Sequence, residues 1–408
     1  MDFTFVHAAD LHLDTPFKGL VGKLPFSARE VTFRAFARIV DVCLQERAEV
    51  LVLAGDLFDA KDRSVRARLF LRQELMRLDA AGVRTFIVHG NHDPLSGDTG
   101  NLKWPASVKV FGSAWEEVAV ERKGQVVCRV QGMSYPQEAV RDNLARHFAR
   151  QGPEFTIGLL HTNVGACGEH PNYAPCSWED LEDAALDYWA LGHVHTRQER
   201  RLPGGGWAVY PGNPQGRHVA ETGERGCVVV RVAGGKAQVR FAALDVLRWH
   251  RMAVDLSDTP TLDALCTQIE MACKDLGQGV DGHVVKVDLS GRGPLHAELA
   301  GQGAQGLEEH LKNALAALRP PVFLESVDDA TRAELDWESL RQGGLTGALS
   351  AAAGDPSVLG EVWADPELKR LHQALAAAGI PSPKNEGSEL LCDAADRVVE
   401  ALVGADGA

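Results

Sequence analysis

Five short apolar runs within the first 195 residues each stop abruptly in aspartate, histidine or asparagine, and no other feature of the chain restricts its fold as strongly. They lead into Asp10-Leu11-His12, Gly55-Asp56-Leu57-Phe58-Asp59, Gly90-Asn91-His92-Asp93, His161 after Gly158-Leu159-Leu160, and Gly192-His193-Val194-His195. Short apolar runs bounded by turn signals read as buried strands, here Phe3–Ala9, Val50–Ala54, Arg84–Val88, Phe155–Leu160 and Trp189–Leu191. Amphipathic spacing predicts helices over Ala28–Arg47, Ser64–Ala80 and Gln137–Arg150. Val126–Met133 and Gly226–Leu244 read as antiparallel strands, the latter a hairpin turning at Gly234-Gly235. Strands alternating with helices build a layered α/β sheet, and the carboxyl ends of such strands open onto one crevice. The five polar endings should therefore meet in space.

Carboxylate and imidazole together suit Mn, Fe or Zn, whereas Ca takes oxygen ligands alone. Alternation along an extended chain places both side chains of Asp10-x-His12 and of His193-x-His195 on one face. A lone carboxylate such as Asp56 can bridge two cations. Gly55, Gly90 and Gly192 are expected to let the backbone turn tightly beside them. Each piece alone is weak: Asp-x-His arises by chance, and Gly55–Asp59 also fits a turn in which Asp56 caps the next helix. The ordered set of five points to a metal site. The chain has no GxxxxGK[ST] and no glycine-rich nucleotide fingerprint, so ATP binding of its own is not expected.

In this order the five segments resemble the calcineurin-like metallophosphoesterase superfamily. The surrounding words HAADLHLDTPFKGL, GDLFDA, VHGNHDPL, GLLHTNVG, LGHVHTRQ and YPGNPQGRH resemble the bacterial DNA repair exonucleases, the SbcD-like and most of all the YhaO-like group. The likeness is strong over residues 1–245 and thin beyond. It implies a four-layer sandwich of two mixed β-sheets flanked by helices, with a small α+β capping module and a helical C-terminal tail. The corresponding division is 1–248 for the nuclease domain, 249–328 for the capping module and 329–408 for the tail. By position it implies that Asp10, His12, Asp56 and His195 hold one metal, and that Asp56, Asn91, His161 and His193 hold the other. His92 would be the general acid, with Asp93 orienting it or capping its loop. Many archaeal and eukaryotic relatives carry histidine where this chain has Asp59, whose implied role is to orient a ligating histidine. Two divalent cations, Mn2+ by resemblance, would neutralise a phosphodiester and supply a nucleophile at neutral pH. The implied activity is a metal-dependent DNA repair exonuclease acting at DNA ends. The alternative is a phosphatase or phosphodiesterase for nucleotides or other small phosphoesters, since a fold does not settle a substrate. A non-catalytic scaffold would be expected to have lost ligands.

Charge refines this reading. The chain of 408 residues carries a net charge of −14, which argues against tight non-specific DNA binding without metal. Residues 1–245 hold 29 basic against 30 acidic residues, so nearly all the acidity lies C-terminal. DNA contact is expected on a local basic face. Arg63, Arg66, Arg68 and Arg72 form one stripe, and Arg217 and His218 stand near the site; Arg63, Arg217 and His218 are the candidate substrate contacts. His7 and His89 read as packing residues, Asp14 as a loop cap and Trp249 as a core anchor. The region after Arg248 reads as strands Val254–Leu256 and Val284–Leu289 around a helix at Leu262–Leu276, then a glycine-rich interruption at Gly301–Gly306 and an Ala/Leu-rich acidic tail. By resemblance the partners are DNA ends, a coiled-coil ATPase of the SbcC type and a second copy of the chain. The absence of any apolar run of ~20 residues, a non-basic start and eight cysteines without CxxC pairs suggest a cytoplasmic protein, at most associated with the nucleoid.

Overall fold

The computed structural model describes residues 1–20, 23–59, 64–97, 103–165, 173–300 and 303–333, with 364, 370 and 398 singly. In chain order, β1 (Phe3–Ala8), α1 (Ala28–Gln45), β2 (Val50–Ala54), α2 (Val65–Ala80), β3 (Arg84–Val88) and β4 (Val108–Val110) come first. They are followed by β5 (Glu116–Arg122), β6 (Gln125–Met133), β7 (Phe155–His161), α3 (Trp178–Asp183), β8 (Tyr188–Gly192), β9 (Gln198–Arg201), β10 (Trp207–Tyr210), β11 (Gly226–Ala233) and β12 (Lys236–Ala243). Two six-stranded sheets result, ordered β12-β11-β1-β2-β3-β4 and β5-β6-β7-β8-β10-β9. Both are mixed. β1 to β4 run parallel with β11 antiparallel to β1, and β6, β7, β8 and β10 run parallel between antiparallel edges.

Burial explains the layering. Alternate residues of β1 to β3, such as Phe5, Val52 and Phe86, meet Ile157, Leu159 and Ala190 of the second sheet in one dry core. Their neighbours Val6, Leu51, Leu53 and Ile87 face outward against Phe36, Ile39 and Val40 of α1 and Leu71, Leu75 and Leu78 of α2. On the far side, Leu160, Trp189 and Leu191 pack against Leu181 of α3 and the short helical turn Leu144–His147. The strands are apolar on both faces because both are covered, which gives helix, sheet, sheet and helix in succession.

The expected helix at Gln137–Arg150 is not formed beyond that turn. Asn143 accepts from the Ala145 amide and donates to Asp180, and the Val140 carbonyl accepts from Ala174. These bonds take up backbone groups that a longer helix would need for its own hydrogen bonds.

The later part holds β13 (Leu247–Asp255), α4 (Leu262–Lys274), β14 (Gly282–Ser290), α5 (Leu295–Leu299), α6 (Gly303–Ala316) and β15 (Val322–Asp329), with a third sheet ordered β13-β14-β15. The expected strand at Val254–Leu256 is the end of a longer one, and the expected interruption at Gly301–Gly306 overlaps the start of α6. Leu307, Leu311 and Leu315, four apart and all buried, outweigh the roughly 1 kcal/mol that a helical glycine costs. The chain divides into two compact units, Met1–Ala253 with Cys266–Asp288 and Gln305–Asp328, and Val254–Leu265 with Leu289–Ala304 and Asp329–Ala408. Within the larger unit, Phe17 and Leu20 of the first loop share a core with Val31 and Ala35 of α1 and with Trp249, Val284 and Phe323. Within the smaller unit, His296 meets Thr331 and the Leu256 amide donates to Ser290. Apart from Ala330–Ala333 and single residues, the expected tail lies outside the described residues. No helix among the described residues is long and apolar enough to cross a membrane.

Candidate metal centre

The carboxyl ends of β1, β2 and β3 in one sheet and of β7 and β8 in the other meet at one edge of the sandwich, and each delivers its polar residues there. The backbone bends sharply to do so. Asp10, His12, Asp14, Asp56 and His193 all have positive φ, between 41° and 99°. This region is uncommon for any residue but glycine and is found where surrounding structure over-determines it. Gly55 turns at φ +86°, as expected. Gly90 and Gly192 are needed for a different reason, close approach. A Cβ on Gly90 would lie 2.3 Å from an Asp56 oxygen, and one on Gly192 would lie 1.7 Å from the Ala54 carbonyl.

Three histidines are oriented alike. His161 Nδ1 donates to the Ala54 carbonyl at 3.0 Å, His12 Nδ1 to Asp59 at 2.9 Å and His195 Nδ1 to Glu221 at 2.7 Å. A carbonyl or carboxylate only accepts, so each bond places a proton on Nδ1 and leaves Nε2 as the nitrogen that can ligate. Those nitrogens point inward. His12 Nε2 lies 3.3 Å from His195 Nε2, and His161 Nε2 lies 3.0 Å from Asn91 Oδ1 and 3.4 Å from Asp56. His193 Nδ1 lies 3.3 Å from the same Asn91 oxygen, and the His193 amide donates to Asp10. Three groupings bring three ligand atoms each within 4.8 Å: Asp10 with His12 and His195, Asp10 with Asp56 and His161, and His12 with Asp59 and His92. The two Nε2 atoms of His12 and His195, both kept neutral by burial, face each other with no hydrogen between them, a donor arrangement that a cation satisfies.

The electrostatics agree. Burial pushes Asp10 up to about 6. Burial would raise Asp56 as well, but the His161 imidazole holds it well below the usual carboxylate range. Against its own burial, His161 is lifted to about 9 by Asp56 and Asp10. Without a cation, a proton on His161 stands where positive charge is wanted, and metal would displace it.

Residues 3–197 match the calcineurin-like phosphoesterase family, and residues 249–332 match the middle domain of metallophosphoesterase YhaO. YhaO of Bacillus subtilis, described as an uncharacterized metallophosphoesterase, is 36% identical over 301 residues, covering 72% of this chain and 73% of that one. The chain belongs to the calcineurin-like metallophosphoesterase family. Members are hydrolases that work with divalent cations at a dinuclear site. The DNA double-strand break repair protein Mre11 of Sulfurisphaera tokodaii is 26% identical over 230 residues, 51% of this chain and 53% of that protein. Mre11 of Sulfolobus acidocaldarius is 20% identical over 356 residues, 82% and 87% of the two chains.

The remaining residues of this metallophosphoesterase site fall into place around the donors. Asp59 is a hub. It accepts from His12 and from Thr15 Oγ1 at 2.5 Å, and pairs with His92 Nδ1 at 2.7 Å. Its bond raises the pKa of half-exposed His92. Asp93 has two expected roles, orienting His92 or capping its loop. The structure gives the contact with His92 to Asp59 and leaves Asp93 the loop-cap role: fully buried, it accepts from the Gly90 and Leu57 amides at 3.0 Å each and so ties two ligand loops together. His89 lies 3.2 Å from Asp93, and His7 is buried against Tyr188. The Asp14 amide donates to Thr32 and its carboxylate pairs with Arg29 at 3.6 Å, which fastens the first loop to α1. Arg217 reaches the site, with its guanidinium 3.5 Å from Asp59 and 3.5 Å from Glu221. His218 stands at the rim, 3.5 Å from Glu221, and Arg66 pairs with Glu30. Arg63 lies outside the described residues.

Two functional residues escaped the sequence reading. Glu221, only 4% exposed, holds His195 and also accepts from the Arg217 amide at 2.7 Å. Buried Arg225 donates to the His195 carbonyl and to Asn213 at 2.9 Å. Both follow YPGNPQGRH within eight residues, the one signal that could have drawn attention to them.

Proposed function

We propose that this chain is a metal-dependent exonuclease that hydrolyses phosphodiester bonds at DNA ends, with two Mn2+ ions as its working cations. The observation that carries the reading is the convergence of three inward-facing Nε2 atoms with Asp10, Asp56 and Asn91 at one sandwich edge. The names of its Mre11 relatives supply the DNA. Asp10, His12, Asp56 and His195 would hold one cation, and Asp56, Asn91, His161 and His193 the other. When bound, two such cations neutralise a phosphodiester and lower the pKa of a water enough to make it a nucleophile at neutral pH. His92, fixed through Nδ1 by Asp59 and about half exposed, leaves Nε2 to donate a proton to the departing sugar oxygen. Arg217 and His218 at the rim, with Arg63, are the proposed phosphate contacts. Residues 1–248 are the proposed nuclease domain, 249–328 a module limiting access to DNA, and 329–408 a docking segment for a coiled-coil ATPase of the SbcC type in the cytoplasm. Val65, Leu69 and Met76, each at least half exposed on α2, support self-association.

The test sets three substrates side by side with Mn2+: end-labelled linear duplex, closed circular duplex and a small chromogenic phosphodiester, each also with Asp56→Asn. Loss of the linear duplex with the circle spared, abolished by the substitution, is the expected result. Turnover of the small diester alone, even with an ATPase partner added, would move the assignment to a nucleotide-scale phosphodiesterase.

A further inference from the structure

Strand β9 starts three residues after His195, at the outer edge of the second sheet, and all four of its residues are exposed. The segment 196–201 carries three arginines against one glutamate, in a chain whose net charge is −14. Each arginine lies over an aromatic ring. The guanidinium carbon is 4.4 Å from the ring centre of Phe241 for Arg197, 4.2 Å from Trp178 for Arg200 and 5.0 Å from Trp207 for Arg201. Arg197 has Glu199 at 3.7 Å, while Arg200 and Arg201 form no ion pair among the described residues.

Charge on an edge strand also prevents another strand from pairing with it. That purpose is served by any charged side chain and does not call for a ring beneath each one. Stacking at an exposed site is weak, but it holds a planar fork in place, and a fixed fork is what bidentate phosphate recognition uses. Alternation along β9 puts Arg197 and Arg201 on one face, over Phe241 and Trp207, and Arg200 on the other, over Trp178. From Arg197 to Arg201 the strand advances about 13 Å, at ~3.3 Å per residue, close to the rise of four nucleotides along one DNA strand at ~3.4 Å each. A recess of about 220 Å³ lined by Thr196, Arg197, Thr222 and Arg225 opens at the start of this row. Arg225 also donates to the His195 carbonyl, so the recess adjoins the metal centre. Glu224, also in its lining, is paired with Arg248 at 3.3 Å.

We propose that β9 is a landing track for the phosphodiester backbone of duplex DNA, leading away from the metal centre. The proposal rests on the DNA reading above and adds where the duplex lies. The test compares wild type with Arg197→Gln/Arg201→Gln, two surface changes on one face of the strand, and measures anisotropy of a labelled linear duplex over a salt series. Duplex affinity should fall about tenfold, and the slope of log affinity against log salt should shrink by about 2, near one for each phosphate no longer neutralised. Turnover of the small chromogenic diester should not change. Arg197→Lys/Arg201→Lys should recover the salt slope but not the full affinity. Unchanged duplex affinity and slope in the glutamine variant would overturn the track and leave the exonuclease reading standing. A parallel loss of small-diester turnover would overturn it too, by showing that these arginines act through the fold. If wild type turns over the small diester but binds no duplex, the DNA reading itself fails and the track falls with it.

Discussion

Each of the three histidines that aim Nε2 inward is held from behind by a different acceptor, a main-chain carbonyl for His161, Asp59 for His12 and Glu221 for His195. Such outer partners set the tautomer and angle of a ligand, and their loss typically weakens metal binding about 10–100-fold. Glu221 touches a ligand of only one proposed cation. Glu221→Gln should therefore weaken one of two Mn2+ binding steps in calorimetric titration by that factor and spare the other; equal weakening of both would mean that Glu221 serves only the fold. His92 makes the opposite case, because its Nδ1 partner is Asp59 and its side chain is about half exposed. His92→Ala should keep both binding steps while turnover drops ~10²–10⁴-fold, the usual range for a general acid. Normal turnover with metal retained would refute the role.

At the level of strands and helices, the sequence shows what burial writes into it. β1, β2, β3, β7 and β8 are buried at nearly every position, read as mostly apolar runs, and lead into every proposed metal ligand. β9 is wholly exposed and its letters, QERR, have no apolar period to find. β4 is three residues long. α6 hides behind Gly303 and Gly306 and is revealed only by its leucines. Glu221 was illegible as a partner because its acceptor role depends on loops that meet only after folding. β1 also yields a prediction about acid stability. Burial lowers His7 from 6.5 to about 3, so the folded chain keeps it neutral while the unfolded chain protonates it as pH drops below 6.5. Its contribution is complete above pH 6.5 and is lost between there and about 3, approaching 1.4 kcal/mol per pH unit well inside that window. Urea unfolding of His7→Gln across pH 4–7 should show an acid limb shallower by about that slope. Superimposable limbs would argue against it.

The molecule as a whole stores like charge at one edge of its sandwich, and a cation should relieve it. Adding Mn2+ to chelator-treated protein should raise Tm, with about 2.7 kcal/mol of stabilisation at one hundred times the dissociation constant. Asp56→Asn should remove most of that gain, and a Tm indifferent to Mn2+ would count against the metal centre. The donors come from both sheets: Asp10, His12, Asp56 and Asn91 from one, His161, His193 and His195 from the other. At Gly192 the two backbones come so close that even a methyl group would strike the Ala54 carbonyl. The site is thus a seam, and its width is gauged by the residues that fill the sandwich rather than by the ligands. Enlarging Leu159 or Ala190, which fill the core between the two sheets, would pry the seam open and pull the two half-sets of ligands out of common reach.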